Sequence, residues 1–139
     1  MITGGCQCGL VQYKVDGELL DYCHCHCSIC RRLHGAAFAT WGGVSRVNFS
    51  YLIGENHLKA YAFSDRSDSM FCDTCGSRIL VDFKPEPDML YIALGTVNGD
   101  VRRPTGYHQF TGSKAPWYEI NDDLSQYEGW SDDDAWLNR

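Results

Sequence analysis

Apolar and polar residues alternate with a period of two along much of this chain, which predicts β-strands rather than amphipathic helices. Val11, Tyr13 and Val15 alternate with polar residues, and the Asp16-Gly17 pair that follows them is a turn signal. We therefore expect this strand to enter a hairpin at that pair. Further short runs typical of strands, separated by turn residues such as Gly, Pro and Asn, occur at 37–41, 58–63, 69–72, 79–83 and 90–94.

Helical signals are few. One helical turn is predicted over 28–33, where Ser28 has the side chain of a capping residue, and a weaker candidate covers 131–137. From Asn98 onward the chain is rich in Gly, Pro and aromatic residues without periodicity, which indicates loops and short strands packed over the sheet. Neither a repeat nor a low-complexity linker divides the sequence. The predicted fold class is therefore mainly β, in a single domain spanning residues 1–139.

Length and charge narrow the range of partners. A chain of 139 residues suits one hydrophobic core, and its formal net charge of −6 disfavours a nucleic-acid partner. The first five residues have neither the basic start nor the apolar stretch of a signal peptide. Charged residues interrupt every apolar run well short of the about 18 residues that a membrane-spanning helix needs. We expect no membrane partner and a cytoplasmic location, where clustered cysteines indicate metal binding or redox chemistry rather than disulfides.

All eight cysteines fall into three groups. Cysteines that only fill a hydrophobic core would be scattered along the sequence instead. The groups are Cys6-Gln7-Cys8, the run from Cys23 to Cys30, and Cys72-Asp73-Thr74-Cys75. The last has the C-x-x-C spacing of a zinc knuckle, in which a tight turn directs two sulfurs at one ion, and Gly76 suits that turn. A thioredoxin-type redox pair has the same spacing, but it requires a strand–helix context that this β-rich region does not offer.

Cys6 and Cys8 are the nearest independent pair that could complete a four-sulfur site with Cys72 and Cys75. Alternate residues of an extended segment lie about 6.7 Å apart on one face. Two sulfurs on one zinc ion lie about 3.8 Å apart, given Zn–S bonds of about 2.3 Å, so a slight bend closes the gap. Such a site would close a loop of about sixty residues and is predicted to be structural.

The middle group contains more potential ligands than one metal ion needs. Cys25, Cys27 and Cys30 have the spacing C-x-C-x-x-C and form the best local set, because Cys23 and Cys27 on one straight strand would be about 13 Å apart. Cys23 is then left out. Three thiolates leave one coordination position for water or substrate, which distinguishes a catalytic zinc from a structural one. We therefore predict a catalytic zinc site at these three cysteines.

A closed second site is the alternative, with Cys23, His24 or His26 as the fourth ligand. His24 and His26 alternate with the cysteines along the strand, so their side chains are expected on the opposite face. Packing or hydrogen bonding is the more usual role there. The sequence alone leaves both possibilities open.

Four motifs in this order resemble the glutathione-dependent formaldehyde-activating enzyme family, which also includes centromere protein V. The resemblance spans most of the chain. The motifs are Gly4-Gly5-Cys6-Gln7-Cys8-Gly9, Cys25-His26-Cys27-Ser28-Ile29-Cys30-Arg31-Arg32, Phe71-Cys72-Asp73-Thr74-Cys75-Gly76-Ser77 and Ser113-Lys114-Ala115-Pro116-Trp117-Tyr118.

The resemblance implies a fold, two zinc sites and an activity. The implied fold is a β-tent of small antiparallel sheets, similar to that of a zinc-binding Rab exchange-factor homologue. The implied activity is that of a carbon-sulfur lyase that joins formaldehyde to glutathione as S-hydroxymethylglutathione. By motif, the structural zinc would be held by Cys6, Cys8, Cys72 and Cys75, and the catalytic zinc by Cys25, Cys27 and Cys30.

A non-enzymatic zinc module that binds a protein partner is the competing hypothesis, which the relation to centromere protein V allows. A basic tail would favour that role, whereas this chain ends in an acidic run at 132–134. The enzyme is therefore the favoured interpretation. Arg31 and Arg32, just beyond the predicted ligands, would either attract the carboxylates of glutathione or offset thiolate charge.

Overall fold

Strands dominate the computed structural model, which describes residues 1–131. The mainly β class expected from the sequence is confirmed, and the weaker helix candidate over 131–137 lies outside the described residues apart from Ser131. The strands are β1 Ile2–Gly5, β2 Gln12–Val15, β3 Asp21–Cys25, β4 Ala39–Ser45, β5 Phe49–Ile53, β6 Leu58–Ser64, β7 Ser67–Cys72, β8 Arg78–Phe83, β9 Met89–Ala93, β10 Tyr107–Gln109 and β11 Ser125–Gln126. The helix is α1 Ser28–His34, and 3₁₀ turns lie at Arg46–Asn48, Glu55–His57, Leu94–Thr96 and Thr111–Ser113.

A three-stranded antiparallel sheet has the order β1-β2-β5. The hairpin expected at Asp16-Gly17 is wrong, because both edges of β2 are already occupied and the chain leaves this sheet there. The hairpin lies instead between β1 and β2, and its loop carries Cys6 and Cys8. Within that loop the Cys6 backbone N–H donates to the Val11 carbonyl oxygen at 3.0 Å.

The second sheet has eight strands in the order β11-β10-β3-β4-β9-β8-β7-β6. Its pairs are antiparallel except where β10 lies parallel to both β3 and β11. The register of β10 on β3 sets Tyr107 opposite Cys23 and Gln109 opposite Cys25. The expectation that the chain beyond Asn98 packs over the sheet therefore needs correction, since β10 extends the sheet at its edge.

The larger buried cluster joins the two sheets around Tyr13, which is fully buried. The Tyr13 hydroxyl shares a hydrogen bond of 2.8 Å with the Thr96 hydroxyl. Gly4 is required beside it, since a Cβ atom at that position would lie 2.3 Å from the Tyr13 hydroxyl oxygen. A smaller cluster, which includes Cys23, Cys25 and Trp41, surrounds the middle cysteine group. That group is thus formed within an apolar part of the larger sheet.

Helix α1 begins directly after Cys27, which is its N-cap residue. The Cys27 side chain accepts a hydrogen bond from the Cys30 backbone N–H at 3.2 Å. The expected capping role of Ser28 is therefore wrong, because the thiol one residue earlier takes that position. Gly35 ends the helix in the left-handed conformation, with φ of 59°. Within residues 1–131, no helix combines the length and the apolar character needed to cross a lipid bilayer.

Candidate functional site

Four cysteine sulfurs meet where the β1–β2 hairpin of the small sheet reaches the end of β7 in the large one. The sulfur atoms of Cys6, Cys8, Cys72 and Cys75 all lie within 4.8 Å of one another. The Cys6–Cys8 and Cys8–Cys72 sulfur pairs are 3.6 and 3.8 Å apart. These separations match the about 3.8 Å expected between two sulfurs on one tetrahedral zinc ion. The four thiols therefore form a set that could hold a metal ion.

The turn after β7 directs Cys72 and Cys75 to one point. The Gly76 backbone N–H donates to the Cys72 carbonyl oxygen at 2.9 Å, and Gly76 has a φ of 79° that favours glycine. The Ser77 hydroxyl, 3.2 Å from the Cys75 sulfur, and the Ser77 backbone N–H donate to that sulfur. These hydrogen bonds lower the pKa of Cys75 to about 5. The turn thus favours a thiolate at Cys75.

A second set contains three cysteines, at the end of β3 and the start of α1. The sulfur atoms of Cys25, Cys27 and Cys30 lie within 4.8 Å of one another. The thiols of Cys25 and Cys30, together with the backbone N–H groups of Cys30 and Ile29, lower the pKa of Cys27 to about 3. Hydrogen bonding with the thiols of Cys25 and Cys27 raises the pKa of Cys30. Negative charge in this set therefore concentrates on Cys27, the N-cap of the helix.

Among residues 1–131, neither Cys23 nor the two neighbouring histidines join this set of three sulfurs. The His24 ring contacts the Tyr22 and Thr40 hydroxyls at 3.2 and 2.9 Å. The His26 ring contacts His108 at 2.8 Å. Both histidines are thus engaged away from the sulfurs, as their alternation with the cysteines along the chain predicts. The described chain offers three ligands here, which favours the open site over the closed alternative.

A cavity of about 330 Å³ lies against the three-cysteine set, and Cys23, Cys25, Cys27 and Cys30 are all part of its wall. Most of the remaining wall is apolar or aromatic, and its main contributors are Trp41, Phe63, Val81, Phe83, Tyr91, Phe110 and Trp130. This volume is at the small end of the range of about 300 to 1,000 Å³ for small-molecule sites. An apolar cleft with thiols in its wall is suited to an organic ligand.

Family comparison agrees with the motifs and the cysteine geometry. The model of the glutathione-dependent formaldehyde-activating enzyme family matches residues 1–113. The chain belongs to this family. A relative from Halomonas elongata named "Putative glutathione-dependent formaldehyde-activating enzyme" is 27% identical over 134 residues, which cover 86% of this chain and 81% of the relative. The family suggested by the sequence motifs is thereby confirmed.

A solved structure supports the fold of this family member. The crystal structure of a Rhodobacter sphaeroides protein is similar with a TM-score of 0.61 and 27% sequence identity. The similarity covers 70% of this chain and 89% of that one. The mainly β arrangement is therefore shared with an experimentally determined protein.

A hydrogen-bonded chain of side chains lies beside the cysteines of this family member, and sequence analysis expected a packing or hydrogen-bonding role for His26 but missed His108 and Asp122. The Asp122 carboxylate contacts His108 Nε2 at 2.9 Å, and His108 Nδ1 contacts His26 Nε2 at 2.8 Å. Burial, followed by the charges of His108 and His24, lowers the pKa of His26 to about 4. His26 is therefore neutral at neutral pH. Because His26 lies between Cys25 and Cys27 in sequence, this chain of contacts fixes the backbone that carries both sulfurs.

The segment 114–131, beyond the residues matched by the family model, also reaches the site. It provides Asp122 to the histidines and Trp130 to the cavity wall. Trp130 packs edge-to-face on Phe110, with ring centroids 4.8 Å apart. No local pattern in the sequence distinguishes these residues, since their partners lie on β10, directly after it at Phe110, or earlier in the chain.

Proposed function

We propose that the chain is a zinc-dependent carbon-sulfur lyase that interconverts formaldehyde and glutathione with S-hydroxymethylglutathione. The family match and the name of the Halomonas elongata relative support this reaction. In this proposal a structural zinc is held by Cys6, Cys8, Cys72 and Cys75, and a catalytic zinc by Cys25, Cys27 and Cys30. The two ions and residues 1–139 would form a single functional domain, since the structural set joins the small sheet to the large one.

The observation that carries the enzyme hypothesis is the position of the three-cysteine set. Its sulfurs lie within 4.8 Å of one another and also line the cavity. A purely structural zinc site is typically closed by four protein ligands, as the other set would be. Three ligands next to a cleft are the arrangement expected where the metal must also meet a substrate.

The protein's own residues would bind, orient and shield the reactants. When bound at the three cysteines, zinc would supply Lewis acidity that lowers the pKa of a substrate thiol. The apolar wall excludes water, which strengthens electrostatic interactions in the cleft. Arg31 and Arg32 lie on α1 immediately after Cys30 but outside the cavity wall, so any attraction of glutathione carboxylates would act at the approach to the cleft. In the overall reaction the thiol S–H bond breaks, a C–S bond forms, and the proton goes to the former carbonyl oxygen.

A glutathione-dependent reaction and eight cysteines without disulfides are consistent with a reducing compartment, and we propose a cytoplasmic location. The net charge of −6 argues against a nucleic-acid partner. The proposed partner is therefore a small thiol.

The test is exchange NMR spectroscopy on ¹³C-formaldehyde, glutathione and their adduct, with and without zinc-loaded protein. We expect faster interconversion with the protein, and loss of that acceleration in Cys27→Ser. Ser69→Ala is the control, because Ser69 is buried on β7, outside both cysteine sets and outside the cavity wall. It should retain acceleration. If the zinc-loaded protein accelerates nothing, the lyase proposal is wrong and the protein-binding zinc module becomes the better hypothesis.

A further inference from the structure

The cavity beside the three cysteines is much larger than a one-carbon aldehyde needs. Its volume of about 330 Å³ is about ten times the roughly 30 Å³ that a water molecule occupies in the liquid. Formaldehyde has only two non-hydrogen atoms and would leave most of this space unfilled. The volume suits an organic group of about eight to ten non-hydrogen atoms.

Aromatic rings form much of the cavity wall. Trp130 contacts two of these rings, with its ring centroid 4.8 Å from that of Phe110 and 6.2 Å from that of Phe83. Trp41 and Phe63 also line the cavity. Such a wall favours an uncharged, flat group, because aromatic rings gain from edge-to-face and offset contacts in addition to burial.

The ionisable groups of the wall disfavour a carboxylate inside the cavity. Apart from the thiols, the described wall has two carboxyl groups, of Asp21 and Glu86, and one guanidinium, of Arg66. The Tyr107 hydroxyl donates to Asp21 at 3.0 Å, and the Tyr91 hydroxyl donates to Glu86. A peptide thiol with two carboxylates would meet net negative charge here. The uncharged aldehyde component is therefore the better occupant.

Gln109 places an unused hydrogen-bond acceptor in the same wall. The residue is only 7% exposed, and its side-chain oxygen is buried with no hydrogen-bond partner. Its strand position opposite Cys25 sets it beside the three-cysteine set. Buried polar atoms in folded proteins nearly always have partners, so an orphaned acceptor at a cavity wall indicates a donor on the ligand. Addition of a thiol to an aldehyde creates such a donor, a hydroxyl.

The backbone next to Gln109 is strained in a way that shapes the cavity. Phe110 has a φ of 57°, and it is the only residue other than glycine with a positive φ in the described part of the chain. This conformation is unfavourable for a residue with a Cβ atom, and such outliers cluster at functional sites. Here the Phe110 ring becomes part of the cavity wall.

We propose that the cavity holds the organic substituent of a larger aldehyde, preferably an aromatic one, and that Gln109 accepts a hydrogen bond from the hydroxyl of its thiol adduct. This inference rests on the proposed function for the type of reaction. The thiol S–H bond breaks, its sulfur bonds to the carbonyl carbon, and the proton goes to the carbonyl oxygen, which becomes the hydroxyl. The step needs no oxidant or reductant.

The kinetic test compares carbonyl-¹³C benzaldehyde, acetaldehyde and formaldehyde with glutathione by exchange NMR spectroscopy. We expect the acceleration over the uncatalysed rate to be about tenfold or more greater for benzaldehyde than for acetaldehyde. Gln109→Leu, which removes the acceptor and keeps the volume, should lower the benzaldehyde rate about tenfold. Gln126→Leu is the control, because Gln126 is exposed on β11 outside the cavity wall.

A binding test separates this inference from the proposed function. Calorimetry with S-benzylglutathione and S-methylglutathione should show about tenfold tighter binding of the benzyl compound, and Phe110→Ala should reduce that ratio. Acceleration with formaldehyde alone, together with equal affinities for the two compounds, would overturn the inference and leave the proposed function intact. If the reaction of no aldehyde is accelerated, the proposed function and the catalytic part of this inference are both wrong. Tighter benzyl binding in that case would still support the aromatic specificity of the cavity.

Discussion

Loss of one ligand should destabilise the protein very differently at the two cysteine sets. We compare Cys72→Ser with Cys27→Ser, each of which removes one sulfur from a set. Cys8 and Cys72 are 64 positions apart in sequence and their sulfurs are 3.8 Å apart. A crosslink that closes a loop of this length lowers the entropy of the unfolded chain by an amount worth about 4 kcal/mol at 25 °C. For the short loop from Cys25 to Cys30 the same relation gives about 2 kcal/mol.

These values matter because a small domain is stabilised by only about 5 to 15 kcal/mol in total. Cys72→Ser should therefore lose a large share of its stability, whereas Cys27→Ser should lose less and stay folded with one zinc ion instead of two. Cys23→Ser, at a buried position outside both sets, is the matched control for placing a hydroxyl in the core. Its effect is subtracted from those of the two ligand variants.

Urea unfolding at saturating zinc, followed by tryptophan fluorescence, gives the free energy of unfolding of each variant. Elemental analysis of the folded proteins counts the zinc ions. We expect Cys72→Ser to be about 2 kcal/mol less stable than Cys27→Ser, a difference that subtraction of the common control leaves unchanged. Equal losses, or a greater loss in Cys27→Ser, would refute the assignment of the long-loop set as the structural one. A single zinc in the unaltered protein would refute the two-site proposal itself.

Further predictions concern backbone strain and buried hydroxyls. Gly54→Ala should lower the free energy of unfolding by more than about 2 kcal/mol, because Gly54 has a φ of 81° and a Cβ atom there would lie 1.8 Å from a backbone oxygen. Gly99→Ala is the control and should lose less stability, because Gly99 has a φ of 70° but open space around a Cβ atom. Equal losses in urea unfolding would contradict the steric argument. Phe110→Gly should be about 1 kcal/mol more stable than Phe110→Ala in the same assay, and the reverse order would show that the positive φ causes no strain. Burial raises the pKa of Tyr13 above 10, so the unfolded chain ionises first and stability is lost as pH rises above 10. Tyr13→Phe should reduce the fall in stability between about pH 9 and pH 11, and an unchanged pH dependence in that variant would refute the effect.

Local sequence patterns were sufficient for most of the strands and for the grouping of cysteines. Period-two alternation indicated the strand around Tyr13 because its apolar side chains face a buried interior. The Asp16-Gly17 turn signal was misleading, because the local preference for a turn does not specify which strand pairs with which. The short sequence separation of Cys25, Cys27 and Cys30 was enough to predict that their sulfurs lie together. Their association in space therefore follows from a strand end and one helical turn.

Apart from the association of Cys6 and Cys8 with Cys72 and Cys75, contacts between distant parts of the chain were not predictable from local patterns. The His26–His108 contact joins residues 82 positions apart, and β10 pairs with β3 in parallel, for which no hairpin signal exists. Apolar character suggested that Phe110 and Trp130 pack somewhere, but not that they face one cavity. Gln109 could be identified as a candidate only when its side-chain oxygen was seen to be buried without a partner.

The segment 114–131 affects how such a protein can diversify. All eight cysteines lie within the 113 residues that the family model matches, whereas the segment beyond them carries Trp130 in the cavity wall. Mutations in this later segment can change which side chain faces the cavity and leave every cysteine in place. Descendants of one cysteine scaffold could therefore acquire cavities of different shape and chemistry through changes in a short stretch of chain that contributes no sulfur.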